Sequence, residues 1–145
     1  MKKNVMVQIS GLHNAETPDD AVEVLLPGNY YNRNGTHYIK YQQYDEESGR
    51  LLDNLIKIKD ETLEIKKKGA SSMQMFFKKN HRNVSYYDME QGSLLMETRT
   101  QDVKIQQREQ RIDVELAYDL FINEQYVSDS HIKIQIFEAG CPEIG

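Results

Sequence analysis

The feature that most constrains this chain is a strict alternation of apolar and polar residues that runs along almost its whole length. In the clearest case the apolar residues are Ile112, Val114, Leu116, Tyr118, Leu120 and Ile122, with Asp113, Glu115 and Asp119 among the residues between them. Because successive side chains of a strand point to opposite faces, this pattern predicts a long β-strand with one buried face. No window fits the three- and four-residue spacing of an amphipathic helix better than it fits alternation.

The same alternation predicts further strands around Val5/Val7/Ile9, Val22/Val24/Leu26, Ile56/Ile58, Leu63/Ile65, Met73/Met75/Phe77, Leu94/Met96 and Ile132/Ile134/Ile136. Two more segments, 36–44 and 84–89, are predicted as strands with apolar residues on both faces. The mostly polar segment 100–111 is predicted either to continue the strand from Leu94 or to form a bulged corner.

Turn-forming pairs separate these segments. Asn34-Gly35 supplies the positive φ angles of a tight hairpin turn, and similar signals are Ser48-Gly49, Asp60-Glu61, Lys68-Gly69, Gln91-Gly92 and Asn123-Glu124. Pro27-Gly28 predicts a bulge or bend inside the second strand, because proline donates no ladder hydrogen bond and glycine tolerates unusual backbone angles.

These patterns predict an all-β fold, a single antiparallel meander that closes into a barrel of about 8–10 strands. Short sequential connections favour a barrel over a Greek-key sandwich, which needs longer crossings between its sheets. Closure requires the first strand to pair with one of the last, and the strand at Ile132/Ile134/Ile136 is a suitable partner. Residues 1–145 are predicted to form one domain without a linker or repeat.

Composition places the chain among soluble globular proteins. The net charge is −5, which disfavours non-specific binding to nucleic acids or anionic membranes. No apolar run approaches the ~18 residues of a membrane span, and the first ten residues alternate rather than form the apolar block of a secretory signal. The single cysteine, Cys141, cannot form an intramolecular disulfide, so a reducing cytoplasm is the predicted location.

No constellation of catalytic or metal-binding residues stands out. His13, His37, His81 and His131 each lack a second ligand at a recognised metal spacing and are interpreted as turn or surface residues. No serine nucleophile motif or phosphate-binding loop is present, and Cys141 is interpreted as inert. The chain is therefore predicted not to be an enzyme and to need no cofactor.

The predicted inner face of the barrel mixes apolar side chains with hydroxyl groups. Met73, Met75, Met96, Thr98 and Tyr118 share this inward phase and are the predicted ligand contacts. A small barrel can hold one small ligand or be filled by its own side chains, and both alternatives stay open. The leading functional hypothesis is a non-enzymatic barrel that binds a small amphipathic molecule.

The alternative hypothesis is a protein or RNA interaction module that uses the hairpin 63–87. This hairpin combines basic side chains with aromatic ones. The basic residues are Lys66, Lys67, Lys68, Lys78, Lys79, His81 and Arg82, and the aromatic residues are Phe76, Phe77, Tyr86 and Tyr87. The two lysine clusters are predicted to lie about 20 Å apart, at opposite ends of the hairpin. Solvated lysines that protect a sheet edge also account for the pattern.

The chain resembles the YwiB-like family of small bacterial proteins, a domain of unknown function assigned to the calycin-like β-barrels. The resemblance rests on Tyr87-x-x-x-x-Gly92-x-Leu94-x-Met96-x-Thr98-x-Thr100, on Leu116-x-Tyr118-x-Leu120-x-Ile122-Asn123, on Val5 to Ser10 and on Pro27-Gly28-Asn29-Tyr30-Tyr31. It departs from the family pattern at Met89 and Gln91, where a threonine and an aromatic residue are expected. The resemblance implies a lipocalin-like or fatty-acid-binding-like barrel and brings no catalytic residue or cofactor.

Overall fold

The computed structural model of the protein describes residues 1–12, 21–45, 48–69 and 71–140. Ten strands form these parts of the chain: β1 (Asn4–Leu12), β2 (Ala21–Arg33), β3 (Thr36–Asp45), β4 (Arg50–Lys59), β5 (Thr62–Lys68), β6 (Ser72–Phe77), β7 (His81–Met89), β8 (Gly92–Arg108), β9 (Arg111–Ile122) and β10 (Gln125–Glu138). None of the described residues forms a helix that is long and apolar enough to cross a membrane.

The ten strands form a closed antiparallel barrel in which each strand pairs with its sequence neighbours and β1 pairs with β10. In the closing pair Val7 lies opposite Ile136 and Ile9 lies opposite Ile134. The predicted all-β meander, its closure and the partner strand of β1 are thus confirmed.

The hairpin turn predicted at Asn34-Gly35 is confirmed by its backbone angles. Asn34 has φ 53° and Gly35 has φ 83°, and the Asn123-Glu124 turn has φ 50° and 68°. Two consecutive positive φ values characterise the turns whose twist matches that of the flanking strands. Asn32 Oδ1 accepts a hydrogen bond from the Gly35 amide at 3.2 Å and supports the first of these turns.

Of the bulge or bend predicted at Pro27-Gly28, the bulge is wrong. β2 pairs with β1 without a register shift from Ala21 to Asn29. Glycine is required at position 28 for a different reason, since a Cβ there would lie 2.9 Å from the Lys40 carbonyl oxygen. β2 and β3 therefore approach closely at this point.

Register shifts lie elsewhere, one in β10 between Tyr126 and Ser128 and one in β8. β8 continues from Gly92 to Arg108, and its pairing with β9 shifts register between Thr100 and Asp102. Both predictions for the segment 100–111, a continuing strand and a bulged corner, describe part of the structure, because the strand from Leu94 continues through a bulge. The extra residue restores the inward phase at Val103 and Ile105, which pack against the core.

Burial divides the barrel into two halves. We call the end that carries the turns 34–35, 60–61 and 109–110 the lower end, and the opposite end the mouth. The lower and middle parts hold the fully buried side chains, which include Phe77, Ile58, Leu63, Ile112, Ile136 and Val5. Toward the mouth the inward side chains Leu52, Met73, Tyr87 and Leu94 are only half-buried. The barrel is packed at its lower end and open at its mouth.

An ion cluster covers the outer face of β7 and β8. Arg82 lies 2.8 Å and Arg99 2.6 Å from the carboxylate of Glu97, which is 8% exposed. Burial raises the pKa of Glu97, but the hydrogen bonds and charges of Arg99 and Arg82 outweigh it and hold the pKa below its usual value. The ionised form of Glu97 is therefore favoured by folding.

This cluster predicts an acid-dependent loss of stability. Because the folded pKa of Glu97 lies below the unfolded one, its contribution is complete above the ordinary glutamate pKa of about 4.3 and is lost as the pH falls through the folded pKa. We expect Glu97→Gln to lower the unfolding free energy at pH 7 by about 1 kcal/mol and to weaken the decline below pH 5. Urea titrations between pH 3 and 7 measure both, and parallel curves for the two proteins would contradict the assignment.

Candidate functional site

The candidate site is the mouth of the barrel, where inward side chains are incompletely covered. A cavity of about 400 Å³ lies there between Arg50, Leu52, Tyr87 and Met89, among other residues of β3, β4, β7 and the neighbouring turns. A second cavity of about 360 Å³ is lined by Lys67, Met73 and Ser85 together with residues of β5 to β7. Both cavities open at the end of the barrel that the core does not fill.

A polar row crosses the inner wall below the mouth. Tyr41 in β3 lies opposite Asn54 in β4, Asn54 lies opposite Lys67 in β5, and Lys67 lies opposite Met73 in β6. Residues directly opposite each other in an antiparallel pair share one face of the sheet. The phenol, the amide, the ammonium group and the thioether are therefore neighbours on the inner face.

Two members of the row, Asn54 and Lys67, have polar groups without a described hydrogen-bond or ion-pair partner. Asn54 is 3% exposed, and its Oδ1 has no hydrogen-bond partner within the described structure, while its Nδ2 donates to the Leu52 carbonyl at 3.3 Å. Lys67 forms no ion pair with a described acidic residue, and burial lowers the pKa of its ammonium group. A buried amide oxygen and a partly desolvated cation without counter-ion both favour an additional binding partner.

The third member, Tyr41, is 5% exposed, and burial raises the pKa of its hydroxyl to about 12. The phenol therefore stays protonated over the physiological range and can donate a hydrogen bond. The row thus combines a hydroxyl donor, an amide acceptor and a cation.

The wall next to the row is weakly paired. β6 and β7 share only the pair Ser72–Asp88 in their ladder, although they are joined by the short connection 78–80. The cavity lined by Lys67, Met73 and Ser85 lies over this seam. Its lining combines inward residues such as Lys67 and Met73 with outward residues such as Gln74 and Tyr86, so the cavity borders both faces of the wall at this seam.

The structure divides the predicted ligand contacts into two groups. Met73 and Met75 are half-buried on β6 near the mouth, whereas Met96, Thr98 and Tyr118 are 4%, 1% and 4% exposed. The buried group lies deeper, where the Tyr118 ring packs 4.8 Å from the Phe77 ring. Of the predicted contacts, Met73 lines one of the cavities. The assignment of the five residues to a ligand stays a prediction.

Thr98 and Thr100 carry buried hydroxyl groups for which the described structure gives no hydrogen-bond partner. An unsatisfied buried hydroxyl costs about 1–3 kcal/mol. We therefore expect Thr98→Val, measured by urea unfolding of the ligand-free protein, to raise the unfolding free energy by about 1 kcal/mol.

Thr62 provides the matched control, since its Oγ1 donates to the Lys59 carbonyl at 2.8 Å. Thr62→Val removes this hydrogen bond and is expected to lower stability by about 1 kcal/mol. A loss of stability in Thr98→Val as well would show that the Thr98 hydroxyl is satisfied in solution.

The basic hairpin 63–87 does not form a continuous patch. Lys66 to Lys68 end β5 at the mouth, whereas Lys78 and Lys79 follow β6 at the lower end. This separation confirms the predicted placement of the two clusters. For Lys66 to Lys68 the interpretation as edge protection is wrong, because β5 pairs along its length with β4 and β6. For Lys78 and Lys79, beside the weakly paired seam of β6 and β7, it stays an interpretation. The use of this hairpin for protein or RNA binding stays a prediction.

The histidines lie apart. His81 and His131 are exposed, and His37 is half-buried at the lower end, where Tyr30 Oη lies 2.6 Å from its Nδ1 and burial lowers the pKa of the imidazole. His13 and Cys141 lie outside the described residues. Within those residues no group of three or more histidine, cysteine or acidic side chains is placed to hold a metal ion.

Sequence reasoning missed the inward position of Lys67 and of Asn54, although it named Lys67 as part of the basic hairpin. Lys67 lies in a run of three lysines, which conceals any alternation, yet it shares the phase of Leu63 and Ile65. Asn54 likewise shares the phase of Ile56. Extending the apolar phase through polar residues would have placed both side chains inside the barrel.

Comparison with known proteins gives concordant results. A family model described as a domain of unknown function, DUF1934, matches residues 7–134. The uncharacterized β-barrel protein YwiB of Bacillus subtilis (strain 168) is 22% identical over 106 residues, which cover 73% of each chain. The crystal structure of the ywiB protein from Bacillus subtilis matches with a TM-score of 0.81 at 16% identity, covering 94% of this chain and 92% of that one. At this identity the structural similarity shows the fold.

Proposed function

Because the chain belongs to the DUF1934 family, in agreement with the resemblance drawn from its sequence, we propose a function from the geometry of its barrel. The protein is a non-enzymatic binding protein that holds a small amphipathic molecule in the mouth. The acidic group of this molecule lies at Lys67 and its apolar part lies along Met73 and Met75. The proposal places the protein in the cytoplasm, where a single cysteine stays reduced.

The observation that carries the proposal is the position of Lys67. Its side chain shares the inner face with Asn54 and Met73, burial lowers its pKa, and no described acidic residue neutralises it. A charge that is partly desolvated without a partner costs stability, and perturbed pKa values of this kind cluster at functional sites. An anionic group is the complement of this ammonium ion, and the thioethers beside it offer an adaptable apolar surface.

The proposal is tested with two dyes that share an aromatic framework but differ in charge, anionic anilinonaphthalene sulfonate and neutral phenylnaphthylamine. We expect Lys67→Met to weaken binding of the anionic dye about tenfold, since a charge-assisted contact is worth about 1.5–3 kcal/mol. Binding of the neutral dye should stay unchanged. Fluorescence titration at pH 7 measures both dissociation constants.

Lys59→Met serves as the control, because Lys59 is exposed at the lower end of the barrel. It should leave both dissociation constants unchanged. Equal affinity of the anionic dye for wild type and Lys67→Met, or equal losses in the two variants, would contradict the proposal.

Stability gives an independent prediction for the same variant. The folded pKa of Lys67 lies below its unfolded value of 10.5, so the cost of burying the charge is complete below the folded pKa, declines as the pH rises above it and disappears above the unfolded pKa. We expect ligand-free Lys67→Met to be about 1 kcal/mol more stable than wild type at pH 7 in urea unfolding. A clear loss of stability would show that Lys67 has a structural partner instead.

A further inference from the structure

An acidic group at Lys67 uses only part of the polar row that crosses the inner wall. Asn54 in β4 lies between Tyr41 in β3 and Lys67 in β5. The Oδ1 atom of Asn54 is buried and has no hydrogen-bond partner among the described residues. A ligand that contacts Lys67 alone leaves this acceptor unpaired, which is unfavourable in a buried site.

The contacts of Asn54 determine which kind of group is missing. Its Nδ2 atom donates to the Leu52 carbonyl at 3.3 Å. Since a carbonyl oxygen only accepts hydrogen bonds, this contact assigns the amide nitrogen to the Leu52 side and leaves Oδ1, an acceptor, on the other side. The missing partner of Asn54 is therefore a hydrogen-bond donor.

The neighbouring Tyr41 hydroxyl does not fill this role, although it can donate. Burial raises the pKa of Tyr41 to about 12 and keeps the hydroxyl protonated, yet Asn54 Oδ1 has no partner in the described structure. A donor and an acceptor thus lie side by side on the inner face without a hydrogen bond between them. A third group that accepts from Tyr41 and donates to Asn54 would pair both.

A hydroxyl group meets both requirements with one oxygen atom, because it has one donor hydrogen and two acceptor lone pairs. A secondary amide does not, since its N–H and C=O point to opposite sides of a planar trans group. A carboxylate only accepts, so it suits the ammonium group of Lys67 and not the Asn54 oxygen. The row is therefore complementary to a hydroxyl and a carboxylate side by side.

The spacing of the strands sets the distance between these two ligand groups. Neighbouring strands lie ~4.8 Å apart, and Asn54 and Lys67 are direct neighbours in the ladder. A hydroxyl on the third carbon of an acid is close enough to its carboxylate for this spacing. A hydroxyl at the far end of a long chain is not, because the apolar chain lies along Met73 and Met75 on β6, on the other side of Lys67.

Open space adjoins all three polar members of the row. β2 pairs with β3 over Gly28–Arg33, and before Gly28 the two strands diverge toward the mouth. Tyr41 and Asn54 line a cavity of about 990 Å³ at this divergence, and Lys67 lines the cavity of about 360 Å³ at the seam between β6 and β7. The row therefore lies beside cavities and not within the packed lower half.

We propose that the ligand of the mouth is an amphipathic 3-hydroxy acid, whose carboxylate lies at Lys67 and whose hydroxyl accepts a hydrogen bond from Tyr41 and donates one to Asn54. This inference rests on the proposed function, because it specifies which acid binds there. It also assigns Tyr41 and Asn54 as the residues that determine specificity. Buried polar groups that pair with a ligand hydroxyl discriminate against an analogue without it, because they then stay unpaired.

The test compares three acids of equal chain length as competitors of anilinonaphthalene sulfonate in fluorescence titrations at pH 7. The acids are decanoate, 3-hydroxydecanoate and 10-hydroxydecanoate. We expect 3-hydroxydecanoate to bind about tenfold more tightly than decanoate, and 10-hydroxydecanoate to bind no more tightly than decanoate. Equal affinities of decanoate and 3-hydroxydecanoate, or of the two hydroxy acids, would overturn the inference.

Two variants locate the hydroxyl. Asn54→Leu and Tyr41→Phe each remove one of its hydrogen bonds at nearly constant shape, so the preference for 3-hydroxydecanoate over decanoate should fall to about threefold or less in each. Tyr44→Phe is the control, since Tyr44 lies on the same strand and is 61% exposed, and it should keep the full preference. Each preference is a ratio of two affinities of one variant, so it does not depend on the folded fraction. A full preference in both variants, or an equal loss in Tyr44→Phe, would overturn the assignment.

Failure of this inference and failure of the proposed function give different results. If decanoate and 3-hydroxydecanoate displace the dye equally and Lys67→Met weakens both, the acid site at Lys67 stands and the hydroxy acid is wrong. If neither acid displaces the dye from the wild-type protein, both are wrong.

Discussion

Replacing Ile134 with asparagine is expected to lower the unfolding free energy by about 5 kcal/mol, which is a large part of the ~5–15 kcal/mol stability of a typical domain. Ile134 is 0% exposed in β10, opposite Ile9 in β1 and Val114 in β9. The substitution removes a buried aliphatic side chain and introduces an amide without partners into the closing seam of the barrel. Far-UV circular dichroism during urea titration measures the loss.

Lys133→Asn is the matched control, because the same residue is introduced one position away on the exposed face of the same strand. The expected change is below about 1 kcal/mol. If the two variants lost similar stability, β10 would not present alternate faces to core and solvent, and the closed barrel would be incorrect.

Phe77→Ala is expected to lower the unfolding free energy by about 3–5 kcal/mol, because it leaves a large cavity in the packed lower half. Phe77 is 0% exposed, lies opposite Leu63 and packs against the ring of Tyr118 at 4.8 Å. These contacts connect β5, β6 and β9 across the interior. The same urea titration provides the measurement.

Phe76→Ala provides the comparison for Phe77. Phe76 is half-buried on the outer phase of β6, with its ring 5.7 Å from that of His81. Its truncation is expected to cost about 1 kcal/mol. A small loss in both variants would mean that the lower half of the barrel is not packed as described, and that ligand space extends below the mouth.

Alternation in the sequence predicted the strands because one residue class faces the core over most of each strand. Ile112 to Ile122 keep this phase throughout, and the hairpin turn at Asn34-Gly35 follows from the positive φ angles that these two residues tolerate. The sequence identified β10 as a suitable partner for β1, because both strands have a continuous apolar face that needs a partner. Whether the two strands pair and close the barrel depends on the fold and could not be predicted from the sequence.

Features that depend on which strands lie close together in the fold could not be predicted from the alternation of residues. Gly28 and Pro27 suggested a bulge, but the glycine is needed for contact with β3, which depends on how the strands pack. The divergence of β2 and β3 and the single pair between β6 and β7 reflect the coiling of the whole barrel. Likewise, Lys67 becomes notable only because Asn54 and Met73 flank it in the register.

The central claim, a mouth that holds an amphipathic acid at Lys67, is tested most directly by native and denaturing mass spectrometry of protein purified gently from its own host. The account predicts an excess native mass that disappears on denaturation, is retained in Lys59→Met and is lost in Lys67→Met. A native mass equal to that of the bare chain in the wild-type protein, or the same excess in both variants, would contradict it.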